Sequence, residues 1–235
     1  MTKRIETIAE VASDYDAIVF DQWGVLHNGS EPYAGAIACV RDLANRGNML
    51  AVLSNSGKRS APNAKRITTL GINADQFTEV MTSGESLWRD IDNGVVSESA
   101  FFPIERSPGD AAKWAAGLKI QISPLKSADA VLLMGLPDES QLANWQPTLD
   151  AIHTQQLPVY CSNPDRKSPR GDGLVISPGA LAFAYREMGG KVVFYGKPHH
   201  PIFKSLEHAL RAEKILMIGD SLEHDVAGAQ TAGWD

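Results

Sequence analysis

Short apolar runs separated by segments of helical period dominate both ends of the chain. AIVF (Ala17 to Phe20), MLAVL (Met49 to Leu53), VVFY (Val192 to Tyr195) and ILMI (Ile215 to Ile218) are runs of four or five residues, and Phe77 to Met81 is a further strand candidate. Runs of this length without alternation predict strands buried on both faces of a sheet. Between them, Ile37, Val40, Leu43 and Ala44 recur at helical spacing, and Gly47 closes the segment. Asn63 to Leu70 reads as a second helix stopped by Gly71, and Ile202, Phe203, Leu206, Ala209 and Leu210 mark a third. Strands alternating with helices predict βαβ units and a parallel sheet, and right-handed crossovers put every strand's C-terminal end on one rim. Ligands of such sheets bind at that rim. Asp21, Ser54, Lys197 and Asp220 each stand just past a predicted strand end.

The pattern restarts between Trp88 and Ser177. ADAVLLMGLP and LPVYCSNPD read as strands, Asp138 to Thr154 reads as a helix that Pro147 can kink, and RKSPRGDG (Arg166 to Gly173) reads as a turn-rich loop. The expected architecture is α/β: a Rossmann-like parallel-sheet core formed by residues 1–87 and 177–235, with a smaller α/β cap domain inserted at 88–176. One continuous large sheet is the competing arrangement. Thr82–Glu85 and Gly173–Gly179 carry glycines able to act as hinges.

Composition narrows the partners. A chain of 235 residues has room for a core and a second domain. Net charge is −6 with no basic run, so no nucleic-acid footprint is visible. No apolar stretch approaches a membrane span, and MTKRIETIAEVASDYD lacks the apolar core of a secretory signal. Cys39 and Cys161 fit no metal spacing and read as reduced thiols. A cytoplasmic protein with neither nucleic acid nor membrane as partner is expected.

The rim residues carry specific chemistry. AIVFDQWGVL sets Asp21 at a strand end with Gly24 three residues on, where a carboxylate serves as nucleophile, metal ligand or helix cap. VLSNS offers the Ser54 hydroxyl and the Asn55 region to a phosphate oxygen, or as an N-cap. FYGKPHHP holds Lys197 between Gly196 and Pro198, a fixed rather than wandering charge. MIGDSLEHD supplies Asp220 and, five residues on, Asp225, which also suits a helix-supporting role. Carboxylates converging on one rim suit Mg²⁺, with waters and a substrate phosphate completing its shell.

In order, strand context and spacing, these four stretches resemble the motifs of the haloacid dehalogenase-like hydrolases. The inserted module resembles the large α/β cap of the class IIA subgroup, which contains nucleotide, sugar-phosphate and pyridoxal phosphate phosphatases. FDQWGVLHNG, YCSNPDR and SPGALAFAYREMGGKVVFYGKP carry the closer resemblance. It implies a Mg²⁺-dependent phosphatase acting on a small phosphorylated metabolite. Asp21 would form an aspartyl-phosphate. Asp21, the Trp23 carbonyl and Asp220 would hold the metal, with Asp225 positioning its waters. Ser54 and Lys197 would hold phosphoryl oxygens, and Asn163 and Asp165 would face the substrate. Cap-mediated homodimers occur in that subgroup, so a homodimer is compatible with the resemblance.

Two departures stand out. The family's phosphatases carry a second Asp two residues after the nucleophile as general acid; here that position is Trp23, which does not titrate. His27, Glu85, His199 and His200 are candidate replacements. Without one, the chain either takes substrates with good leaving groups or binds a phosphometabolite with little turnover. The family fold also continues through another strand and helix past TAGWD, so a truncated C-terminus is expected.

Overall fold

The computed structural model describes residues 4–170 and 173–235. In chain order, β1 (Ala17–Phe20), α1 (Ala36–Asn45), β2 (Met49–Ser54), α2 (Ser60–Thr69) and β3 (Glu79–Thr82) come first. There follow α3 (Ser83–Asp92), β4 (Ala100–Ile104), α4 (Asp110–Trp114), β5 (Gln121–Ile122), β6 (Ala130–Leu133), α5 (Leu142–Thr154) and β7 (Val159–Cys161). After β8 (Lys167–Arg170) and β9 (Gly173–Ile176) the chain continues through α6 (Pro178–Glu187), β10 (Val192–Phe194), α7 (His200–Leu210), β11 (Ile215–Ile218) and α8 (Ala227–Ala232). It divides into two compact units, one of residues 1–54, 60–82 and 197–235, the other of 55–59 and 83–196.

The first unit is built on the parallel sheet β11-β1-β2-β3. Successive side chains of a strand leave opposite faces, and both faces are used. Ile18, Phe20, Leu50 and Val52 pack with Val40 of α1 and Ile67 of α2. Ala17, Val19, Ala51 and Leu53 pack instead with Ile202, Phe203 and Leu206 of α7. This is why the strands read as unbroken apolar runs.

The second unit has its own parallel sheet, β10-β7-β6-β4-β5. Val131, Leu133, Val159 and Cys161 face Leu149 and Ile152 of α5 and Leu181 of α6. Ala130, Leu132 and Tyr160 face Leu87 of α3 and Trp114 of α4. Two sequence expectations change here. VVFY does not join the core sheet: β10 pairs with β7, Val192 opposite Val159. An apolar run announces a buried strand but not which sheet takes it. RKSPRGDG is not simply a loop: β8 pairs antiparallel with β9, Lys167 opposite Ile176, with 171–172 of the stretch outside the described residues.

Close backbone approaches build the base of this unit. A Cβ at Gly84 would lie 2.2 Å from the Gly57 carbonyl oxygen, and the Gly84 N–H donates to the Ser56 carbonyl at 3.0 Å. A Cβ at Gly179 would lie 2.0 Å from the Pro164 carbonyl oxygen. At Gly196 it would meet Pro164 Cδ at 2.5 Å. Gly84 and Gly179, which lie in the two stretches whose glycines are expected to act as hinges, leave no room for a Cβ. Among the described residues no helix is long and apolar enough to cross a membrane.

Candidate active site

β1 ends at Phe20, and the Asp21 N–H still donates to Ile218 of β11 at 2.8 Å, which fixes the carboxylate at the rim of the first unit. The Gln22 N–H donates to Asp21 Oδ1 at 2.6 Å. Lys197 Nζ lies 2.7 Å from Asp21 Oδ1 and 2.7 Å from Asp225 Oδ1. Asp225 is buried on the π-helical turn Leu222–Val226, and its Oδ2 accepts the Ser221 N–H at 3.0 Å. It therefore both supports its own turn and fixes the lysine. A Cβ at Gly219 would lie 2.2 Å from Asp225 Cβ, so a glycine lets this turn close onto the end of β11.

Asp220 completes a group in which one ligand atom each from Asp21, Asp220 and Asp225 lies within 4.8 Å of the others. Three carboxylates and one ammonium leave an excess of two negative charges. Burial raises the Asp21 carboxyl to about 6, with Lys197 pulling it down and Asp225 pushing it up. Burial opposes the charge on Lys197, but the two carboxylates outweigh it and hold its pKa above the ordinary value. A hard, oxygen-rich cluster with excess negative charge fits a divalent cation.

Lys197 arrives differently from the sequence expectation. It follows β10, a strand of the second unit's sheet, and enters the first unit on the lead into α7. Ser54 is the buried last residue of β2. The register opposes Phe20 to Val52, which sets Ser54 one step beyond the level of Asp21 on the neighbouring strand.

Asn55, Asn163 and Asp165 gather in the second unit. Asn55 Nδ2 donates to Asp165 Oδ1 at 2.8 Å, and the Asp165 N–H donates to Asn163 Oδ1 at 3.1 Å. SNS thus divides between the units after Ser54.

Trp23 stands between the two residues that touch the acidic cluster. On one side is Gln22, bonded to Asp21; on the other is Gly24, at φ +91°, where a Cβ would lie 2.2 Å from Asp220 Oδ2. The indole is 42% exposed. Its ring abuts Gly29, where a Cβ would come within 2.2 Å of it, and meets His27 edge-on at 6.0 Å.

The replacement general acids fare unequally. His27 is 1% exposed. Its Nδ1 accepts the Gly29 N–H at 2.9 Å, so the neutral ring carries its proton on Nε2, 3.1 Å from the Gln22 amide. The amide oxygen, otherwise without a partner, must face that proton. Burial first, then Arg66, lowers the imidazole to about 4. His27 is a neutral strut of the loop. Glu85, in the second unit, is bound by Arg59 at 2.7 Å and Arg89 at 3.2 Å. His200 is the exposed first residue of α7, and His199 precedes it as N-cap. The glutamate cluster, with Arg59 stacked 3.7 Å over the Trp88 ring, gave no sequence signal beyond the four-residue spacing of Glu85 and Arg89.

The family described as haloacid dehalogenase-like hydrolase matches residues 18–101, and the related HAD-hydrolase-like family matches residues 194–235. A crystal structure of a haloacid dehalogenase-like hydrolase from Brucella suis 1330 is 30% identical, with a TM-score of 0.89, covering 99% of this chain and 88% of that one. Chronophin from Homo sapiens is 24% identical over 96% of this chain and 81% of its own length. The glycerol phosphate phosphatase of Mycobacterium tuberculosis, solved with magnesium, is 22% identical with a TM-score of 0.76, covering 95% of this chain and 68% of that one, a likeness of fold.

Proposed function

The chain belongs to the haloacid dehalogenase-like hydrolases and is a phosphatase of that family, and from this premise we propose that it removes the phosphoryl group of a small phosphorylated metabolite with Mg²⁺ as its divalent cation. The observation that carries the reading is the Lys197 ammonium held between Asp21 and Asp225 beside a third carboxylate, Asp220. Such a site carries an excess of two negative charges, which a divalent cation offsets.

In this reading Asp21 is the nucleophile: its free oxygen bonds to phosphorus as the ester oxygen departs, forming an aspartyl-phosphate. Lys197 and Ser54 hold the phosphoryl oxygens, and the Gln22 N–H keeps the Asp21 carboxylate in its attacking orientation. Asp21, Asp220 and the Trp23 carbonyl would hold the cation, with Asp225 supporting the site beside them. The bound cation supplies charge neutralisation for the transferring group. The second unit serves as the cap, with Asn55, Asn163 and Asp165 as its polar contribution to substrate choice. Mg²⁺-dependent release of phosphate from a panel of phosphometabolites, lost in Asp21→Asn, tests the reading; no turnover above background on any of them sinks it.

Trp23 favours a second reading, in which the site binds a phosphometabolite and turns it over slowly. Mg²⁺-dependent binding by calorimetry with less than one turnover over hours supports that alternative, and rapid multiple turnover removes it.

A further inference from the structure

Trp23 sits where a proton donor would be useful, and its surroundings say what replaces the proton. Its chain neighbours touch Asp21 on one side and Asp220 on the other, so the Trp23 backbone stands between two members of the acidic cluster. The ring abuts Gly29 and meets His27 edge-on, which gives it a defined position while 42% of the residue stays exposed. Indole N–H does not titrate. Among the described residues of this unit, the titratable groups against Asp21 are Lys197, committed to two carboxylates, and the carboxylates themselves. His27 is buried with both ring nitrogens engaged.

Resting on the phosphatase reading, we infer that Trp23 is a specificity-determining residue that selects monophosphates of aromatic hydroxyls. The two halves of the argument converge. A leaving oxygen that receives no proton must be stable as an anion, and the oxygen of an aromatic hydroxyl is. An exposed indole two residues along the chain from Asp21 offers an aromatic surface to an aromatic ring. In the step, an Asp21 oxygen bonds to phosphorus, the aryl P–O bond breaks, and its electron pair leaves on the aryl oxygen as the oxyanion. Water then cleaves the aspartyl-phosphate at its phosphorus–oxygen bond, releasing phosphate and one proton to solvent and restoring Asp21.

The test is steady-state kinetics with Mg²⁺ on substituted phenyl phosphates of graded leaving-group acidity, on cyclohexyl phosphate, and on acetyl phosphate, which leaves without protonation but has no ring. Wild type should lose kcat/KM steeply as the leaving group becomes more basic, and cyclohexyl phosphate should fall about 10²-fold or more below phenyl phosphate. Trp23→Ala should raise KM for the aryl esters by about 2- to 10-fold more than it raises KM for acetyl phosphate. Trp23→Phe should restore the aryl KM, and Trp23→Asp should flatten the leaving-group dependence. Equal wild-type rates on cyclohexyl and phenyl phosphate, or an aryl KM in Trp23→Ala that rises no more than that for acetyl phosphate, overturn the inference while the phosphatase reading stands. No turnover of any of these phosphates, acetyl phosphate included, overturns both.

Discussion

Two ion clusters, one in each unit, are near mirror images in charge. In the first, Lys197 is shared by Asp21 and Asp225 with Asp220 alongside. In the second, Glu85, 8% exposed, is shared by Arg59 and Arg89, and Arg59 also lies on the Trp88 ring. The glutamate cluster disperses its surplus positive charge over partly exposed guanidiniums, which are weakly hydrated and readily stacked. The aspartate cluster has its outlet in the exposed Asp220 carboxylate. Its surplus is negative, its lysine is fully buried, and one carboxyl is pushed up to about 6 by burial. The glutamate is thus outnumbered by its guanidiniums, whereas the aspartate cluster keeps a negative excess that a divalent cation can offset.

The sharpest contrast is in activity. Asp21→Asn keeps the shape of the aspartate cluster and removes its proposed nucleophile, so phosphate release should fall on the order of 10⁴-fold or more. Lys197→Met leaves Asp21 and Asp225 facing each other without their counter-charge, and kcat/KM should drop about 10²- to 10³-fold. Glu85→Gln should behave in the opposite manner. Leaving two guanidiniums against a neutral amide should cost about 2–4 kcal/mol in denaturant unfolding, with kcat within a few-fold of wild type. A large kcat loss with unchanged stability in Glu85→Gln would erase the distinction between the clusters.

Cation binding sharpens it further. Mg²⁺ at about one hundred times its dissociation constant should stabilise wild type by about 2.7 kcal/mol. Asp220→Asn should lose most of that gain, and Glu85→Gln none of it, in thermal melts with and without chelator. The smallest effect concerns His27. Its folded pKa of about 4 lies below the ordinary value of about 6.5, so the unfolded chain binds more protons between those values. Its contribution is complete above pH 6.5 and is lost as pH falls towards 4. The difference in stability between wild type and His27→Asn should shrink over that window; a pH-independent difference would mean the imidazole titrates alike folded and unfolded.

The core was legible because its strands are buried on both faces. AIVF, MLAVL and ILMI became β1, β2 and β11 with boundaries shifted by one residue at most, since nothing polar interrupts them. Asp21 and Ser54 were legible for the same reason, as the first polar groups beyond an apolar run. VVFY was equally apolar, yet pairing partners are set by tertiary packing, so its sheet was not readable. β8 and β9 were hidden by their polarity: KSPR pairs through backbone groups that any sequence carries. The Asn55–Asp165 hydrogen bond spans 110 residues, and no local pattern encodes it. His27 looked like a catalytic candidate by proximity in sequence, whereas burial and two ring hydrogen bonds make it a strut.

The glycine contacts at the base of the second unit bear on how the molecule can be cut and rejoined. Gly57 belongs to a five-residue strip, 55–59, that is remote in sequence from the rest of that unit yet fills the face of Gly84. Excising residues 83–196 as a free-standing piece would strip away that filler and bare the backbone around Gly84, including the Ser56 carbonyl bond it relies on. Transplanting this unit onto another scaffold therefore means grafting a discontinuous epitope of two segments, with the strip carried along.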